Sequence, residues 1–228
     1  PVLKKTYRLR GRLAEVAKLW LERMVVGEQE TVPVFQRELF GEVRWTESNL
    51  KDNPVSLVLE SVKYRQAHQV PWPDIAIIAP DKQLCRDIYA VLDALRIPVS
   101  ITATSPSEHA AILAMCGDQG PENDDWRDFD PSQRKCVERM EEDIERSRKL
   151  AFGRKTGMLK LTTIHSFKGW EWSHVIVVLK ATKSPPTEAN ALAYTAVTRP
   201  LQSLHVINCV PEYCRFGKLL GEEALLTQ

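Results

Sequence analysis

The chain has 228 residues, 43% of them hydrophobic and 27% charged, a balance that excludes wholesale disorder and gives enough length for one large domain or two small ones around a real core. Its 31 Lys and Arg against 30 Asp and Glu leave a net charge of +1, which excludes a uniformly basic nucleic-acid coat protein but allows a local basic surface. No apolar run approaches the ~18 residues that would span a membrane, and no signal peptide opens the chain. It begins at Pro1, so a fragment or processed product is expected, with a missing half kept in view. Five widely spaced cysteines without a C-x-x-C point to reduced thiols in a cytoplasmic protein rather than to a disulfide framework or zinc ribbon. Pairing of Cys209 with Cys214 stays open, and no metal site is expected.

In chain order, residues 1–12 carry Lys4, Lys5, Arg8, Arg10 and Arg12 with no acid among them. Leu13, Val16, Ala17, Trp20 and Met24 then fall on one face at helical spacing. Val32–Phe35 reads as a short strand. A second helix is expected over about 54–67, with Leu57, Val58, Ser61 and Val62 near one face. Asp74–Pro80 holds an unbroken apolar run, as in a strand buried on both faces. Asp81 is placed to cap the next helix, whose stripe is Leu84, Ile88, Val91, Leu92 and Leu95. Pro98 stops that helix, and Val99–Thr102 begins another strand. A strand–helix–strand unit with short connections marks a parallel α/β sheet.

Residues 117–130 are acidic and contain Gly and Pro, which reads as a loop or disordered insertion. Asp130 and Pro131 open a helix with a capping residue and a first-turn proline. Its stripe is thin (Val137, Met140, Ile144), so it is expected to pack on the domain surface. The sheet then resumes. Leu159–Ile164 and Val175–Leu179 read as buried strands, 188–199 as a helix ended by Pro200, and Leu204–Ile207 as a final strand.

Chemistry concentrates in Leu161–Trp172, Leu-Thr-Thr-Ile-His-Ser-Phe-Lys-Gly-Trp-Glu-Trp. A strand ends near Thr163, and a polar loop containing Gly169 follows. Ligands of open parallel sheets sit at the carboxyl ends of strands, where this loop is expected. Thr163 and Ser166 offer hydroxyls, His165 a switchable donor, Lys168 a positive charge and Glu171 an acceptor suited to a ribose or amide. The same residues suit a solvated turn with both tryptophans in the core, and residue types alone leave the two readings open.

Thr163–Trp172 resembles the fifth motif of UvrD/Rep/PcrA-like superfamily 1 helicases, T-x-H-x-x-K-G-L-E-[FW], with Trp170 where Leu is usual. Leu192–His205 is similar to the sixth motif, L-x-Y-V-A-x-T-R-A followed by a strand. Leu3–Arg10 is similar to the fourth, L-x-x-N-Y-R-S, and Asp74–Leu95 resembles the family's strand–helix pair opening with I-A-[IV]-L. The resemblance covers roughly residues 3–105 and 155–210. It implies an α/β, RecA-like parallel sheet flanked by helices, a P-loop NTPase-type second motor domain occupying 1–228. Residues 106–157 would be a reduced insertion, an acidic loop plus a helix, where the family carries a large accessory subdomain.

By the same resemblance the chain is the second motor domain of an ATP-dependent DNA helicase or translocase. Arg8 and Arg199 would reach the γ-phosphate of ATP held with Mg2+ by a separate first motor domain. A planar guanidinium from across the cleft stabilises the charge spread over a transferring phosphoryl group and ties hydrolysis to closure. Glu171 would accept from the nucleotide ribose, with Lys168 and Gly169 beside it. Thr163 and His165 would face single-stranded DNA or link it to the nucleotide, and Tyr194 would serve packing. A solvated basic face for Arg8, a helix C-terminal charge for Arg199, a solvated turn for Lys168 and a structural role for His165 are the plain alternatives.

The sequence also departs from the family pattern. Pro200 stands where Ala is usual, Thr6 where Asn is usual, and Asn190 and Ala191 where arginines often precede Leu192. No G-x-x-x-x-G-K-[ST] occurs; Gly153–Gly157 superficially resembles one but has the wrong glycine spacing. No acidic magnesium motif is evident. Lacking its own Walker A, the chain alone is expected to be inactive on ATP. A non-catalytic helicase-like scaffold that binds DNA or protein is the rival reading.

Overall fold

The computed structural model describes residues 5–6, 13, 16–17, 20, 34–35, 42–48, 53–117, 129–153, 156–181 and 185–218. Arg8, Met24 and the acidic stretch 118–128 lie outside the described residues. Strands β1 (Lys5–Thr6) and β2 (Val34–Phe35) form a small parallel pair. The main sheet contains β3 (Glu42–Glu47), β4 (Ile75–Ala79), β5 (Val99–Ile101), β6 (Leu159–Thr163), β7 (Trp172–Leu179) and β8 (Pro200–Asn208). Its order is β3-β8-β7-β4-β6-β5, and every pairing is parallel. The helices are α1 (Pro54–Ala67), α2 (Lys82–Ala94), α3 (Pro106–Cys116), α4 (Pro131–Ala151), the short α5 (Ile164–Phe167) and α6 (Pro186–Val197). The fold is α/β, as expected.

Alternation along the central strands divides the core into two layers. In β4, Ala76 and Ile78 join Val175, Val177 and Leu179 of β7 on one face. Ile75, Ile77 and Ala79 join Ile176 and Val178 on the other. Both faces are covered, which is why these strands read as continuous apolar runs. The first layer is closed by Leu13, Val16, Ala17 and Trp20, which are helical and buried, and by Ala193, Ala196 and Val197 of α6. The Trp20 indole donates to Asn190 O at 3.2 Å and stacks on Phe216 at 4.8 Å. The second layer is closed by Val55, Val58 and Val62 of α1 and by Leu84, Cys85, Ile88 and Leu92 of α2. Leu95, included in the α2 stripe, is instead the residue after the helix end and is 51% exposed.

Capping follows the sequence closely. Asp81 accepts from Leu84 N–H at 2.7 Å, and Asp130 forms a capping box with Gln133 ahead of Pro131. β3 and α3 are among the elements that go beyond the sequence expectation. β3 adds an edge strand beside β8. α3 occupies part of the segment read as an acidic loop and one helix, so two helices stand there. They pack on each other through Ile112, Leu113, Cys116, Phe129 and Val137.

Candidate functional site

The fifth-motif segment is a crossover. β6 and β7 are separated by β4 in the sheet, and both run parallel to it. The chain therefore leaves the carboxyl edge at Thr163 and returns to the amino edge at Trp172. Residues 164–167, expected as loop, are a single helical turn capped by Thr163, whose Oγ1 accepts from Ser166 N–H at 3.3 Å. Ile164 and Phe167 are buried on the first core layer, and this anchoring turns a loop into a helix. Gly169 has φ +95°, a conformation that glycine adopts without strain.

This path divides the candidate residues between two edges. Thr163, 8% exposed, and exposed His165 lie at the carboxyl end of β6. Beside them the buried Thr102 hydroxyl donates to Thr162 Oγ1 at 2.8 Å. Lys168 and Gly169 are exposed and lead, with half-buried Glu171, into the start of β7. The expectation that the whole segment sits at carboxyl ends is corrected: its second half stands at the amino edge.

Arg199 stands at that same edge, immediately before β8. Trp172 N–H donates to Arg199 O at 3.1 Å, and Trp172 pairs with Pro200 in the sheet register. Glu171 and Arg199 are therefore backbone neighbours at adjoining strand starts. Arg199 is half-buried, and its Nε donates to Thr195 O at 3.1 Å in the last turn of α6, a bond that orients the guanidinium from the helix end. Pro200 does not displace this arrangement; it is the first residue of β8. Tyr194 packs against the first core layer, as expected. Arg8 lies outside the described residues, so its position relative to Arg199 is not part of this geometry.

The two tryptophans separate in role. Trp172 is buried and donates to Pro73 O at 2.8 Å. Trp170 is 37% exposed and meets Phe152 edge-on at 5.9 Å. The same Phe152 lies under Lys160, whose Nζ is 5.2 Å from the ring centroid. Burial lowers the Lys160 pKa. Nothing in the alternation Leu159-Lys-Leu161 signals that this lysine is inside. Among the described residues, no group of three or more His, Cys, Asp or Glu is arranged to hold a metal ion. No described helix is long and apolar enough to cross a membrane.

No curated protein matches the chain. Among solved structures, the C-terminal domain of a possible DNA helicase from Lactobacillus plantarum WCFS1 aligns with 96% of this chain and 97% of that one, at 12% identity and a TM-score of 0.49. Residues 159–207 match the model of the UvrD-like helicase C-terminal domain. That span runs from the start of β6 into β8 and includes both sheet edges just described. The β6–β8 part of the chain is thus similar in sequence to a UvrD-like helicase C-terminal domain, the same family to which its fifth and sixth motifs point.

Proposed function

We propose that the chain is the second motor domain of an ATP-dependent DNA helicase or translocase, working against a first motor domain that cradles ATP and Mg2+. The observation that carries this reading is the neighbouring of Glu171 and Arg199 at the amino edge, fixed by the Trp172–Arg199 backbone bond. In the proposal Arg199, with Arg8, stabilises charge on the transferring phosphoryl group. Glu171 accepts from the ribose, and Lys168 and Gly169 approach the nucleotide. Thr163 and His165, at the opposite edge, contact single-stranded DNA. DNA contacts of this kind are mainly to the backbone, so binding is salt-sensitive and weak in sequence preference. Such a protein works in the cytoplasm.

The test is Arg199→Ala in the parent protein containing both motor domains. DNA-stimulated ATP hydrolysis is expected to fall about 100-fold or more, with nucleotide affinity changed only a few-fold, because the guanidinium acts chiefly on transition-state charge. Arg199→Lys should rescue little, since an ammonium lacks the planar fork. Undiminished hydrolysis in a folded Arg199→Ala protein would sink the motor reading and favour a DNA- or protein-binding scaffold.

A further inference from the structure

Away from both sheet edges, two thiols come into contact. Cys116 is the last residue of α3 and Cys136 lies near the start of α4. Their Sγ atoms are 2.7 Å apart, and both thiols are free. A disulfide at ~2.05 Å is within reach of a small side-chain adjustment. The two helices are held in register from several sides. Ile112, Leu113, Phe129 and Val137 form the apolar seam, Arg148 pairs with Glu108 at 2.7 Å, and His109 meets Glu141 at 2.8 Å. The fold thus presents the thiols to each other across a fixed frame. Their accessibility differs: Cys136 is exposed and Cys116 buried.

We propose that Cys116 and Cys136 form a redox-modification site, at which a low-molecular-weight disulfide such as oxidised glutathione installs an intramolecular cross-link between α3 and α4. The Cys136 thiolate attacks one sulfur of the oxidant. The oxidant's S–S bond breaks, and one glutathione leaves with the electron pair and takes up a proton. Cys116 then loses its proton to water and attacks Cys136 Sγ of the mixed disulfide, expelling the second glutathione. Two protein thiols are oxidised, one glutathione disulfide is reduced to two thiols, and no further reactant is needed. Burial and the neighbouring Cys136 push the Cys116 thiol up to about 11, so exposed Cys136 is the entry point and Cys116 the resolving thiol. The bridge would enclose the acidic stretch 118–128 in a covalent loop.

The test is native incubation of the full 228-residue chain in glutathione redox buffers, followed by alkylation and non-reducing peptide mapping. The expected product is a Cys116–Cys136 cross-link reversed by dithiothreitol, with the free-thiol titre down by two from five. Cys116→Ser should stall as a glutathione adduct on Cys136, and Cys136→Ser should leave Cys116 unmodified. Oxidation in denaturant should lose the selectivity. The proposal is overturned if the wild-type chain stops at a Cys136 adduct with Cys116 reduced, or if Cys209 and Cys214 bridge while this pair stays reduced. Equal selectivity in denaturant also overturns it, since proximity in sequence, not the fold, would then pair the thiols.

Discussion

Arg65 shows how a single buried charge organises its surroundings. It is 5% exposed and sits between two serine–histidine pairs. Its guanidinium donates to Ser61 Oγ at 2.6 Å and, at the 3.5 Å limit, to Ser203 Oγ. Ser61 Oγ lies 2.7 Å from His205 Nδ1, and Ser203 Oγ lies 2.8 Å from His174 Nδ1. A guanidinium only donates, so each serine accepts from it and still has a proton and a second lone pair to share with its histidine. His205 Nε2 also lies 2.8 Å from Thr46 Oγ1. Burial first, then the charges of Arg65 and Arg44, push His205 down to about 3; His174 is lowered by burial and Arg65. The unfolded chain therefore binds these protons more readily than the folded one. Stability from His205 is complete above pH ~6.5 and falls by up to about 1.4 kcal/mol per pH unit as pH drops towards 3. Urea melts of His205→Gln should be flatter than wild type between pH 6.5 and 4.5. An unchanged slope would remove His205 as the cause. Arg65 and Ser61 are only four residues apart, but the network they join was not legible in sequence, because Arg65–Ser203, Ser61–His205 and Thr46–His205 lie 138, 144 and 159 residues apart along the chain. Thr163 was legible as the end of a strand but not as a helix cap, although that role is local and its acceptor serves a donor three residues on.

At the scale of elements, the legible features were those whose signal is short-range and unbroken. β4 and β7 declared themselves by apolar runs, and α2 and α4 by aspartate caps. β3 is a half-buried edge strand in which Val43 and Trp45 face the core between polar neighbours, Glu42, Arg44 and Thr46, a two-step alternation too brief to stand out. α3 carried a usable signal in Ser105-Pro-Ser-Glu108, a capping box with proline at the first helical position. What seats α3 and α4 on the sheet is not readable from either helix alone. Glu141 of α4 accepts from Lys82 and Arg86 of α2 at 3.2 Å each, from Thr104 at 3.2 Å, and lies 2.8 Å from His109 of α3. Arg148 donates to Ala103 O beyond β5. A thin apolar stripe predicted a helix lying on the surface, yet Glu141 and Glu145 are buried, because the stripe is completed by ion pairs. Hydrogen bonding from His109 and the Lys82 and Arg86 charges outweigh burial and hold the Glu141 carboxyl down at about 2. Glu141→Gln keeps the volume but leaves these donors without an anion. It is expected to destabilise the chain by about 2–3 kcal/mol and to speed proteolysis within 106–151 ahead of global unfolding. Wild-type protection in that segment would mean that the apolar seam alone docks the pair.

At the scale of the whole molecule, one short segment joins the two edges of the sheet. A five-residue parallel strand spans roughly 16 Å, and residues 164–171 recross that depth over β4 with Phe167 as their buried anchor. Thr163 and His165 at one edge are therefore connected to Glu171 and Arg199 at the other by a single turn of helix and a glycine. The return to the amino edge follows from the parallel strands that the sequence already implied; what the strand order adds is that the segment crosses over β4 on the way. Gly169 is where the return is made. An added Cβ there meets nothing within 4 Å, but the φ of +95° disfavours any L side chain. Gly169→Ala should therefore cost about 1–2 kcal/mol through backbone conformation alone. Gly153 has equally open surroundings without a positive φ, and Gly153→Ala should be near neutral, so the difference between the two isolates the conformational cost. In the proposed two-domain parent, shifting this hinge moves Glu171 relative to Thr163 without removing either side chain. DNA-stimulated ATP hydrolysis should then fall more than the basal rate. Equal loss of both rates would show that Gly169 matters only for folding, and that the crossing segment does not link the two edges in function.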